Sequence, residues 1–149
     1  MLRLFMMMLL AAAAPAPAPD TPARTQVADR AALARLRGNE GVSLQWIDWD
    51  GTRRGLLHVR QPGALVHISG EQRVAGQPGA LTIDGDVLRI DARAFTFRGR
   101  IVIADTPDAG RRCVRDGTFT FRITGTRRYW RLQQMEACDG LTDYVDIYF

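Results

Sequence analysis

The 149 residues are enough for one domain and too few for two of ordinary size. All 20 basic residues are arginine, set against 16 acidic ones for a formal net charge of +4. The arginines are scattered among Asp and Glu and collect into no stripe, which argues against a nucleic-acid partner.

Residues 1–18 read as a signal peptide. Arg3 supplies a positive start, Leu4 to Ala14 form an apolar run of 11 residues, and small Ala and Pro follow. The run is too short to cross a bilayer, which takes about 20 apolar residues. No cysteine follows it to carry a lipid. The expectation is an exported protein, periplasmic or secreted, with no membrane span once the leader is removed. Residues 19–37 are a Pro/Ala-rich linker followed by one short helix. The stretch QVADRAALARLR (26–37) is rich in helix formers, and Gly38 sits where a C-cap belongs. Its apolar positions are mostly alanine, so docking should be weak.

Residues 38–149 read as a single β domain. From Val42 the apolar period is two, and turn dipeptides interrupt it at short intervals. A turn at Asp50-Gly51 predicts Val42 opposite Val59, Leu44 opposite Leu57, Trp46 opposite Gly55 and Asp48 opposite Arg53. A four-residue loop at 61–64 sets His58 opposite His67. A second hairpin, at Asp84-Gly85, brings Leu81 opposite Leu88. The strand Ala94–Ala104 puts Phe95, Phe97, Ile101 and Ile103 on one face, with Gly99 among them where a strand bends or a neighbour comes close.

The hairpin at Gly125-Thr126 is the most informative. Pairing Thr124 with Arg127 sets Phe121 against Trp130, Phe119 against Leu132 and, further out, Cys113 against Cys138. This register predicts a disulfide, with a bulge at Asp116-Gly117 as the one feature that would shift it. A last turn at Asp139-Gly140 pairs Ile147 with Leu132 and Phe149 with Trp130, at the expense of facing Glu136 with Asp143. Eight or nine strands joined mostly by tight turns predict an all-β, antiparallel up-and-down meander, closed or nearly closed into a barrel, with a β-sandwich as the alternative.

The stretches GVSLQWIDWDGTRRG (41–55), LTIDG (81–85), FTFRGRIV (95–102) and above all RRYWRLQQMEACDGLTDYVDIYF (127–149) resemble a family of small secreted bacterial proteins of unknown function. The likeness covers most of residues 38–149. It implies export and a bond between the two cysteines, and it brings no activity with it. A looser likeness to lipocalin-type barrels is architectural only. Their Gly-x-Trp is absent, since Gly41 and Trp46 are five apart.

Few residues invite chemistry. His58 and His67 would make two metal ligands, but no third is spaced to join them, so no metal or cofactor is expected. Arg128, Tyr129 and Arg131 are the candidate ligand-binding residues, from a dense aromatic-basic cluster that suits an anionic or stacking ligand. Trp130 should face the core, Tyr129 and Arg131 outward with Arg122 opposite Tyr129, and Arg128 the barrel rim. Asp139 reads as a turn residue and Asp146 as an outward one, so with Asp143 they make no acid-base pair. No nucleophile elbow and no phosphate-cradling Gly loop is present. The expected function is therefore non-enzymatic: a periplasmic barrel that binds a small ligand or an envelope component. One alternative is a partner-binding module such as an inhibitor of an envelope enzyme. The other is a small outer-membrane-associated barrel, suggested by Val145, Ile147 and Phe149 and opposed by Asp143 on the same face.

Overall fold

A computed structural model describes residues 21–149. The leader expected over 1–18 lies outside the described residues. The chain forms β1 (Gln26–Val27), α1 (Arg30–Arg37), β2 (Val42–Leu44), β3 (Leu56–Arg60), β4 (Val66–Arg73), β5 (Ala80–Ile90), β6 (Ala94–Ala104), β7 (Arg112–Arg122), β8 (Tyr129–Leu132) and β9 (Val145–Tyr148). The main sheet runs in the order β2-β9-β8-β7-β6-β5-β4-β3. Gly55, just ahead of β3, exchanges two backbone hydrogen bonds with Val42 of β2 (2.9 and 2.8 Å), so the two edges of the sheet meet. This nearly closed antiparallel barrel leaves few strand edges unpaired. The closing seam is thin, and the buried Gln72 reinforces it. Its amide accepts from the Leu44 N–H (2.8 Å) and donates to the Arg53 carbonyl (3.2 Å), satisfying backbone groups that lack a strand partner.

The up-and-down path gives the barrel two ends. One carries α1 and the turns that follow β3, β5 and β7. The other carries the longer loops 45–55, 105–111 and 133–144. The helix starts at Asp29, whose carboxylate accepts from the Ala32 N–H (2.8 Å), and stops at Gly38. It buries Ala32 and Leu36. Residues 26 and 27, expected within the helix, instead pair in parallel with Arg89 and Ile90 of β5. That edge is free because β4 begins only opposite Val87.

Apolar side chains fill the interior. Phe95, Phe97, Ile101 and Ile103 all point inward, as their alternation requires. Phe95 stacks on Phe121 (4.9 Å between centroids) and meets the edge of Trp130 (5.7 Å), while Phe97 meets Phe121 at 6.0 Å. Full burial contributes ~1.5–3 kcal/mol for a side chain of this kind. Aromatics this large fit because glycines Gly85, Gly99 and Gly117 stand opposite one another on β5, β6 and β7. A Cβ on Gly85 would come within 2.3 Å of the Arg98 carbonyl and 2.7 Å of the Phe97 ring. Gly85 is therefore a place of close approach, and the hairpin expected at Asp84-Gly85 does not exist. β5 runs straight through it, Leu81 does not face Leu88, and a bulge between Val87 and Arg89 turns Ile90 inward.

Other registers differ from expectation for equally local reasons. β2 pairs with β9, not β3, because the chain after Leu44 turns: Ile47 and Asp48 donate back to the Leu44 carbonyl (3.0 and 3.1 Å). The Asp48–Arg53 contact forms within the loop instead. Between β7 and β8 the turn at Gly125 is present, but Ile123 leaves the ladder to donate to the Arg93 carbonyl (2.7 Å). The pairing is consequently Phe121 with Leu132 and Arg122 with Arg131, two residues out. β7 runs against β6 without a bulge at Asp116-Gly117. β9 is displaced by two as well, with Trp130 opposite Ile147 and Tyr129 opposite Tyr148. Asp139-Gly140 is a turn, yet it lies within the 133–144 loop and sets no strand register. Glu136 and Asp143 do not face each other. His58 likewise faces Ser69 and not His67.

Cys113 and Cys138 are joined, with Cα atoms 5.9 Å apart. The bond was expected, but not through a continuous ladder: β8 has ended at Leu132, and Cys138 arrives on the loop.

Candidate functional site

On a strand, alternate residues face opposite sides. The inward positions Val145, Ile147, Trp130 and Leu132 therefore dictate that Tyr144, Asp146, Tyr148, Tyr129 and Arg131 face outward. Ser43 of β2 joins them opposite Asp146. These outward side chains, with Gln45 and the loop residues Asp48, Trp49 and Asp50, line a cleft of about 290 Å3 on the outer wall of the barrel. All three tyrosines of the chain are in it.

The cleft is built on one charge pair. Arg131 holds Asp146 in a two-pronged fork (2.7 and 2.8 Å). The guanidinium lies 4.0 Å from the Tyr144 ring centre and 5.1 Å from that of Tyr129. Burial pushes the Asp146 carboxyl above the usual carboxylate range, and its hydrogen-bonded partner Arg131, with a weaker contribution from the charge of Arg127, offsets this only in part. The Arg131 guanidinium is in turn held charged by its hydrogen bonds to Asp146. Tyr148 packs against Tyr129 (5.2 Å), carries the Arg54 guanidinium at 3.7 Å, and accepts from the Ser43 hydroxyl at 3.3 Å. Gly51, at φ +66°, lets the loop settle on this ring, since a Cβ there would lie 2.7 Å from the Tyr148 hydroxyl. Trp49 stands at the lip, 78% exposed.

Tyr129 and Arg131, expected to bind a ligand, are thus brought together. Arg128 is not with them: it lies at the helix end, 5.7 Å from the Phe149 ring. Sequence reasoning missed Trp49, Tyr144, Asp146 and Tyr148. Three of these share the i, i+2, i+4 spacing in the last strand, and that parity was the signal available.

Asp143 belongs to a different cluster. It faces inward at 0% exposure and accepts from Arg111 (3.0 and 2.9 Å), Arg115 (2.9 Å) and Trp46 Nε1 (2.9 Å). Burial alone would raise its carboxyl, but these donors together hold it below the usual range. Arg111 also reaches Asp139 (3.1 Å), and Arg115 reaches the Met135 carbonyl (3.1 Å). Three loops are pinned together in this way. The sequence reading put Asp143 on a face that a lipid would meet. That face is the barrel interior, and the strand's outward positions are Tyr144, Asp146 and Tyr148.

His67 sits between Asp86 (2.9 Å) and Asp84 (3.4 Å) of β5, chiefly the Asp86 hydrogen bond raising its pKa. Among the described residues, no group of three or more His, Cys, Asp or Glu is placed to hold a metal. No helix there is long and apolar enough to cross a membrane.

The model of the PM1083 family matches residues 24–149, which takes in β1, α1 and the whole barrel. The chain belongs to the PM1083 family. Over 117 residues it is 40% identical to "Uncharacterized protein PM1083" of Pasteurella multocida (strain Pm70), covering 77% of this chain and 74% of that one. No solved structure matches.

Proposed function

We propose that this chain is exported and acts in the cell envelope as a non-enzymatic recognition module, gripping an envelope component in the outer cleft. The observation that carries the reading is the convergence of three tyrosines and the exposed Trp49 on one outer wall, above an interior filled with side chains. The Cys113–Cys138 bond and the leader-like residues 1–18 support an oxidising compartment. At about 290 Å3 the cleft falls at the small end of pockets that enclose a whole small molecule. It suits a side chain or terminal sugar of a larger partner. Rigid Tyr and Trp faces with Ser, Asp and Arg among them are what protein paratopes use, because they give contact area at low entropy cost.

The test is an NMR titration of the isotopically labelled protein with an envelope extract. The expected result is broadening or shifts confined to the Trp49 indole and the Tyr129, Tyr144 and Tyr148 rings. Unchanged spectra, or changes centred on the interior residues, would count against the proposal.

A further inference from the structure

The helix end of the barrel holds a second surface that the cleft does not explain. Arg35 of α1, Arg93 of the β5–β6 turn and Arg127 and Arg128 of the β7–β8 loop surround a depression of about 380 Å3 floored by Phe149. In sequence Arg35, Arg93 and the Arg127-Arg128 pair are far apart, which is why no basic stripe is visible there. The fold brings them together. Arg35 and Arg128 both stack on the Phe149 ring, at 4.6 and 5.7 Å from its centre. Arg93 is steadied by donating to the Gly125 carbonyl (3.0 Å). All four are exposed.

Their convergence on one hollow without an ion-pair partner is the telling feature. Arg111, Arg115 and Arg131 each hold a carboxylate within 3.1 Å. Among the described residues, the guanidinium groups of Arg35, Arg93, Arg127 and Arg128 form no ion pair within 4.0 Å, and the nearby Asp91 carboxylate is taken up by the backbone N–H groups of Arg93 and Ala94 (both 2.9 Å). Gathering four like charges around one hollow raises the local potential and is unfavourable until an anion enters. Guanidinium forks match the oxygens of a phosphate, and two of them are pre-oriented here by a shared aromatic ring.

We propose that this depression is an anion site that takes a phosphate group, either free or carried by a lipid headgroup. The experiment uses the full exported chain at low ionic strength with two probes. Inorganic phosphate is titrated while the arginine Nε–Hε resonances are followed. Vesicles of phosphatidylglycerol in phosphatidylcholine are co-sedimented beside vesicles of phosphatidylcholine alone. The variant Arg35→Gln/Arg128→Gln is compared with Arg100→Gln/Arg112→Gln, which removes equal charge elsewhere. At least one probe should bind the wild type, shifting the arginines of the depression. The first variant should weaken that binding at least ~10-fold, since two charge-assisted contacts are lost. The second should leave it nearly unchanged. Binding of phosphate alone assigns a soluble phosphate, and binding of the anionic vesicles alone assigns a headgroup. The proposal is overturned if neither probe binds, if other arginines shift, or if both variants weaken binding alike.

Discussion

Asp143 and Asp146 are neighbours on the chain, both buried and both held by arginine, yet they sit in opposite surroundings. Asp143 faces inward and collects donors from Arg111, Arg115 and Trp46, which keep it ionised below the usual range. Asp146 faces outward under the cleft with Arg131 as its one ion-pair partner, and burial lifts it above that range. A carboxylate surrounded by donors acts as a structural pin. One with a single ion-pair partner leaves part of its burial cost unmet. The loop end is thereby held as framework, while the outer wall carries the cleft proposed as the recognition surface.

The largest effect should come from breaking the pin. Asp143→Asn leaves the buried Arg115 with no ionic partner and Arg111 with Asp139 alone, and should cost ~3–5 kcal/mol in urea unfolding, as loss of one partner of a buried ion pair does. Next is Cys113→Ala/Cys138→Ala. With a sequence separation of 25 the bond contributes roughly 3–4 kcal/mol on the chain-entropy model. It should lower the unfolding midpoint without moving resonances of the cleft.

Asp146→Asn should be much milder, about 1 kcal/mol or less, because burial already penalises the Asp146 carboxylate and the partly exposed Arg131 can turn to water. The two aspartates should also differ in sign with pH. Asp143 is depressed in the folded state, so its contribution is present above the ordinary carboxylate pKa and is lost as the pH falls through its lower folded value. Asp146 is raised, so its contribution is present below the ordinary value and is lost as the pH rises through its higher folded value. Unfolding curves of each Asn variant against the wild type across the acid range check this. Parallel trends for the two would erase the distinction.

Parity was legible in the sequence and register was not. Strand Ala94–Ala104 was readable to the residue because its apolar alternation is long and uninterrupted. Turn dipeptides misled where their glycine served another purpose, as Gly85 does in making room for Phe97. The β7–β8 and β8–β9 pairings were each two residues out. A slip of two keeps every side chain on its face, so Tyr129 and Arg131 were still rightly placed outward. Trp49 and the Asp143 cluster were out of reach, since both depend on the 45–55 and 133–144 loops meeting. No periodicity encodes that meeting.

The sharpest measurement pairs a binding readout with a stability readout on Trp49→Ala/Tyr144→Ala. Envelope-extract binding and the urea midpoint are taken on the same samples, with Asp143→Asn at a denaturant-free temperature where it is still folded. The expected result is that the cleft variant loses binding while its stability moves by no more than ~0.5 kcal/mol at the exposed Trp49 and ~1 kcal/mol at Tyr144, whose ring carries Arg131, and that Asp143→Asn does the reverse. Retained binding in the cleft variant, or binding lost only in step with stability in both, would contradict the assignment of the outer wall as the working surface.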